Sequence, residues 1–205
     1  MAGRGLRRRS TPDPPHTVTE ASERSFAPWT PGLLARVSTI AVNDATEWQS
    51  ARPIYRGRWL GSVLVQGAAR HLVRPGHGVK DIDVLALYAN PNPPGHRGHG
   101  RRRAQADLGP SRFGVHPLDA QHGYTGRRVD LLVRDLPVAP RTGLADALVP
   151  WLAEAAAACS GTFLGAGQCS CGKPHRSGWY WAQSPVIALA GDRLGSVIWS
   201  GTGVA

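Results

Sequence analysis

The chain has 205 residues, of which 41% are apolar, and a formal net charge of +10. That length suits one domain with a core of ordinary size and leaves no room for two large ones. No stretch reaches the roughly 18 uninterrupted apolar residues of a membrane span, and the charged opening MAGRGLRRRS is not followed by the apolar run of a secretion signal, so a cytoplasmic protein with no membrane partner is expected.

Residues 1–28 are rich in Arg, Pro, Ser and Thr with little apolar periodicity, the composition of a flexible basic tail. The folded domain is expected over 29–205. It opens with Leu33, Leu34, Val37, Ile40 and Ala41 at helical spacing, in a stretch broken at Pro53. Val63 to Gln66 is a short buried strand that turns at Gly67 into a helix starting near Ala68, and RPGHG (74–78) ends that helix.

A second strand follows in GVKDIDVLALYA, then a long polar segment from Asn90 to Gly126, then a third strand in RRVDLLVRDLPV. TGLADALVPWLAEAAAA is helical, with Leu144, Leu148, Trp151, Leu152 and Ala155 on one face and Pro150 expected to bend it. The C-terminal WYWAQSPVIALAGDRLGSVIWSG fits either a helix followed by a strand or a hairpin turning at Gly191-Asp192.

Two of these strands carry carboxylates among aliphatic residues. Successive odd positions of a strand share a face, so Asp81 and Asp83 should point the same way. Asp130 sits alone between Val129 and Leu131 on the third strand. Any one of the three could be neutralised by Lys80, Arg127 or Arg128. If the two strands are neighbours, however, three like charges fall within a few ångströms, a cluster that favours a divalent cation held by oxygen ligands, Mg²⁺ or Mn²⁺.

The order of these features resembles the nucleotidyltransferase superfamily related to DNA polymerase β. A short strand, the turn Gly67-Ala68, KDIDV about a dozen residues later and the third carboxylate in RVDLLV follow that family's glycine turn, Asp-x-Asp strand and third acidic residue, over roughly residues 60–135. VQGAARHLVRPGHGVKDIDVLALYA is most similar to uncharacterised or toxin–antitoxin-associated bacterial members.

The resemblance implies an α/β (α+β) fold, a mixed sheet flanked by helices, and an enzyme. Asp81, Asp83 and Asp130 would bind Mg²⁺ and catalyse transfer of a nucleoside monophosphate from a nucleoside triphosphate to a hydroxyl. The acceptor would be RNA, such as a tRNA end, or a protein. Gly67 and Ala68 would grip the triphosphate through backbone amides, although Ala68 replaces the usual Ser or Gly and offers no hydroxyl. The second class of function is a non-catalytic nucleic-acid-binding or interaction protein on the same fold.

Lys80 and Arg112 are candidate phosphate ligands. Lys80 should leave the face opposite the carboxylates, which suits a solvated or capping cation better, and Arg112 lies in the turn-forming DLGPSRFG. HRGHGRRR (96–103) is the densest positive run and serves equally as a solvated loop or a polynucleotide clamp. Cys159, Cys169, Cys171 and His175 offer a soft, tetrahedral structural zinc set, but without the C-x2-C knuckle the signal is weak against ordinary reduced cysteines.

Overall fold

A computed structural model of the chain describes residues 23–90, 103–158, 163–165, 168–170 and 177–202. Most of the predicted basic tail, the run 96–102 and three of the four zinc candidates (Cys159, Cys171, His175) lie outside the described residues.

The first helix, α1 (Pro31–Ala51), starts where Thr30 Oγ1 accepts a hydrogen bond from the Leu33 amide at 3.2 Å and proline occupies the first turn, which needs no N–H. Its buried stripe is Leu33, Val37, Ala41, Ala45 and Trp48, and Pro53 begins a separate short 3₁₀ turn. Strand β1 (Trp59–Val65) runs directly into α2 (Gln66–Val73). Then come β2 (Ile82–Ala89), β3 (Arg103–Asp107), the single turn α3 (Pro117–Ala120) and β4 (Arg128–Leu136). The chain closes with α4 (Leu144–Ala157), the small pair β5 (Phe163–Gly165) and β6 (Gln168–Cys169), α5 (Ser177–Ala182), β7 (Val186–Ala188) and β8 (Val197–Trp199).

Six strands form one sheet in the order β3-β4-β2-β1-β7-β8. Only β2 and β4 pair in parallel; the other neighbours are antiparallel, so the sheet is mixed. The alternation of side chains assigns each face its helices. Leu64, Ile82, Val84, Val129 and Leu131 pack with Leu33, Val37 and Ala41 of α1 and Ala68 and Ala69 of α2. On the other face Val63, Val65, Leu85, Leu87 and Leu136 pack with Ala147, Leu148 and Leu152 of α4 and Trp181 and Ala182 of α5.

Four details differ from the sequence expectation. Residues 23–28 are tied to the domain: Ser25 and Val79 form an antiparallel bridge with N···O distances of 2.9 and 2.7 Å. The polar segment 90–126 contains a strand, β3, because β4 supplies it with a hydrogen-bonded edge. Strand β2 starts at Ile82, one residue after Asp81. The C-terminal region combines both alternatives, a helix followed by a β7–β8 hairpin that turns at residues 191–193. Among the described residues no helix is long and apolar enough to cross a membrane.

Candidate functional site

The parallel register places Asp83 of β2 directly beside Asp130 of β4. Both belong to the face covered by α4, because Ile82, Val84, Val129 and Leu131 occupy the other one. They lie near the N-terminal ends of their strands. Asp83 is half-buried, whereas Asp130 is 2% exposed. Asp81 continues the same register one step upstream, which sets it beside Arg128, since Ile82 pairs with Val129.

Arg128 joins the group. Its Nη2 lies 3.1 Å from Asp81 Oδ2, its Nε 3.2 Å from Asp130 Oδ1, and its Nη1 3.2 Å from Oδ1 of Asp119 in α3. Three nitrogens of one planar fork thus each meet a different carboxylate, a geometry that a lysine could not reproduce. The three acids also act on the Arg128 guanidinium: burial works against its charge, but Asp130, Asp119 and Asp81 outweigh that and hold its pKa above the usual arginine value. Of the three cations that the sequence offered as partners, Arg128 is the one ion-paired with Asp81 and Asp130. Arg127, 5% exposed, precedes β4; burial lowers its pKa, and Asp119, Asp81 and Glu23 work against that.

Across the sheet, Val65 at the end of β1 is the register partner of Asp83, so the first turn of α2 sits next to the carboxylates. Gln66 enters that turn with φ +59°, a left-handed conformation that costs a non-glycine residue about 1–2 kcal/mol. A Cβ added at Gly67 would meet nothing within 4 Å, so its backbone borders open space. Ala68, in contrast, is fully buried and its carbonyl accepts a hydrogen bond from Trp29 Nε1 at 3.2 Å.

No protein-family model, curated protein or solved structure matches the chain.

The donor chemistry of Asp81, Asp83 and Asp130 suits a hard divalent ion. Their arrangement supplies the register pair Asp83/Asp130, while Asp81 is drawn toward Arg128. Among the described residues no three His, Cys, Asp or Glu side chains are already gathered as a metal cage. An ion at this place would require Arg128 to yield its contacts with Asp81 and Asp130.

Lys80 pairs with a different acid. Its Nζ pairs with Glu23 Oε2 at 2.9 Å, and the same oxygen is 3.2 Å from His116 Nε2. These two partners hold the Glu23 carboxyl below its usual range. His116 caps α3 through Nδ1, which accepts the Leu118 amide at 3.2 Å. Arg112 is exposed, and its neighbour Phe113 stacks edge-on against Trp29 at 5.0 Å on the α1 side of the sheet. Cys169 is buried in β6.

Asp119 and Gln66 carry no mark in the sequence. Asp119 lies in a polar segment without periodicity, and only the short turn of α3 buries it to 1% exposure. Gln66 is betrayed only by its backbone angle.

Proposed function

We propose that the chain is a Mg²⁺- or Mn²⁺-dependent nucleotidyltransferase that moves a nucleoside monophosphate from a nucleoside triphosphate to a hydroxyl on RNA. The observation that carries this reading is the register pair Asp83/Asp130 set beside the left-handed turn at Gln66 and the open backbone of Gly67. Carboxylates and the amide end of a helix, side by side at the end of a mixed sheet, suit the two halves of phosphoryl chemistry.

The amides at the start of α2 would bind phosphate oxygens, helped by the positive end of the helix. Asp81, Asp83 and Asp130 would hold the metal, which supplies the positive charge that acidifies an attacking hydroxyl and neutralises the departing pyrophosphate. Asp130, nearly enclosed, would accept the hydroxyl's proton as the oxygen–phosphorus bond forms and the bond to pyrophosphate breaks. Arg128 would release Asp81 and Asp130 to the metal and stay anchored beside them by its ion pair with Asp119. Incubation with each α-labelled triphosphate, Mg²⁺ and a small-RNA pool tests the reading. Label should enter RNA with the wild-type chain and not with Asp130→Asn; label that enters protein instead names a protein hydroxyl as acceptor, and equal background for both chains refutes transfer.

One observation favours a second reading, a non-catalytic RNA-binding protein on this fold: Arg128 already compensates Asp81 and Asp130. That reading expects RNA binding without label transfer and without a response to divalent ions.

A further inference from the structure

The connection from α2 to β2 gathers positive charge on a rigid scaffold. Arg70 and Arg74 lie one turn apart on α2 and its C-cap, His77 sits in the following turn, and Arg24 reaches the same place from the N-terminal segment, where its Nη1 donates to the His77 carbonyl at 3.3 Å. Arg70 Nη2 donates to the Gln183 carbonyl at 3.4 Å. Arg74 and His77 are exposed.

The turn beneath these groups is fixed. His71 Nδ1 accepts the amides of Gly76 and Gly78 at 3.4 and 3.2 Å, so its proton resides on Nε2, which lies 2.8 Å from the Ala27 carbonyl. Gly78, at φ +67°, packs so closely under Arg24 that an added Cβ would stand 2.9 Å from the Arg24 Cβ. The Ser25–Val79 bridge closes the frame.

The cations of this patch act against one another. Burial lowers the pKa of His77, and Arg70, Arg74, His71 and Arg24 lower it further. Arg70 is likewise held below the usual arginine value by burial and then by Arg24. With Arg24 and Arg70 held on backbone carbonyls and Arg74 exposed beside them, the patch is a partly preorganised anion site, since an arriving anion offsets the repulsion. Guanidinium forks suit phosphate oxygens in particular.

We propose that Arg24, Arg70 and Arg74, gathered around the turn from α2 toward Asp81, bind the phosphodiester backbone of single-stranded RNA. Describing that strand as the acceptor rests on the nucleotidyltransferase reading; the binding itself does not. Arg74 stands seven residues beyond Gly67, about 10 Å along the helix. The patch therefore lies away from the turn assigned to the triphosphate and extends the site over a polymer rather than a mononucleotide.

Fluorescence anisotropy of the full chain with a fluorescein-labelled oligouridylate of about a dozen nucleotides, without divalent ions and from about 50 to about 200 mM salt, tests this. The slope of log affinity against log salt should become shallower by about 1.4 in Arg24→Gln/Arg74→Gln, some 0.7 for each phosphate no longer neutralised. It should be unaltered in Arg141→Gln/Arg193→Gln, which carries the same net charge with exposed arginines elsewhere. Arg74→Gln alone should give half the change and covers the case in which the double variant folds poorly. Equal losses in the two double variants, no binding by wild type, or loss of ATP binding rather than RNA binding in the patch variant overturns the proposal. Normal RNA binding with no label transfer would refute the catalytic reading and leave the patch standing.

Discussion

Arg128 is the residue on which the candidate site turns, because two of the carboxylates it contacts are almost wholly removed from water: the side chains of Asp119 and Asp130 are 2% and 3% exposed. A buried carboxylate deprived of its cation must either take up a proton or remain charged at high cost. Arg128→Met keeps the length of the stem and deletes the charge. Removing one member of a buried ion pair costs about 3 kcal/mol or more, so the variant should unfold at markedly lower urea concentration with an unchanged m-value. If the carboxylates also accept a divalent ion, Mg²⁺ should restore more stability to Arg128→Met than it adds to wild type. A variant as stable as wild type would show that the three ion pairs are of little energetic consequence.

At the scale of elements, the start of α2 and the β3–β4 hairpin behave differently under substitution. Gly67→Ala adds a Cβ into open space, and alanine in a helix is favoured over glycine by about 0.5–1 kcal/mol, so the fold should be unharmed or slightly firmer. The same methyl would stand where phosphate oxygens must approach the amides, so nucleotide binding should weaken at least about tenfold, some 1.4 kcal/mol; unchanged binding in a titration calorimeter would remove α2 from the site. The β3–β4 hairpin is organised by Asp107, which accepts hydrogen bonds from Thr125 Oγ1 at 2.6 Å and from the amides of Thr125, Gly126 and Gly109 at 2.7, 2.8 and 2.9 Å. Burial pushes its carboxyl up, but these donors outweigh it and hold the pKa below 3.8. A depressed carboxylate stabilises the fold above its unfolded pKa, and that contribution disappears as pH falls through the lower folded value. Asp107→Asn should therefore cost about 1–2 kcal/mol at neutral pH, with the gap in melting temperature closing as the pH falls below 3.8. Strand β2 was legible because Ile82, Val84, Leu85 and Leu87 form an aliphatic run, and the pairing of Asp83 with Asp130 followed from two such strands lying side by side. Strand β3 was not, since RAQAD has neither β-branched nor aromatic residues and is a strand because β4 offers it an edge. Nor could the sequence say which arginine meets Asp81, since Arg127 and Arg128 are equivalent until the register sets Arg128 beside it.

Across the whole molecule a net charge of +10 contrasts with the acidic cluster at one end of the sheet, and that contrast separates the two functional readings by their response to ions. Raising ionic strength screens the half-buried pairs Lys80–Glu23 and Arg128–Asp81 in part, so salt as such should lower stability slightly. A divalent ion bound by the native carboxylates acts in the opposite sense, because a ligand of the native state alone stabilises by RT ln(1 + [L]/Kd), about 2.7 kcal/mol at a hundredfold excess over Kd. For a domain of this size each kcal/mol raises Tm by roughly 2–4 °C. At constant ionic strength, replacing NaCl by MgCl₂ or MnCl₂ should therefore raise Tm by about 5–10 °C, and Asp83→Ala should abolish the rise while leaving the salt response intact. Asp83 is the decisive position because the nitrogens of Arg128 go to Asp81, Asp119 and Asp130, so its substitution removes a proposed metal ligand and leaves that guanidinium's three ion pairs in place. A flat response in both proteins would overturn the metal-dependent reading and leave Arg128 as the cation that compensates the cluster.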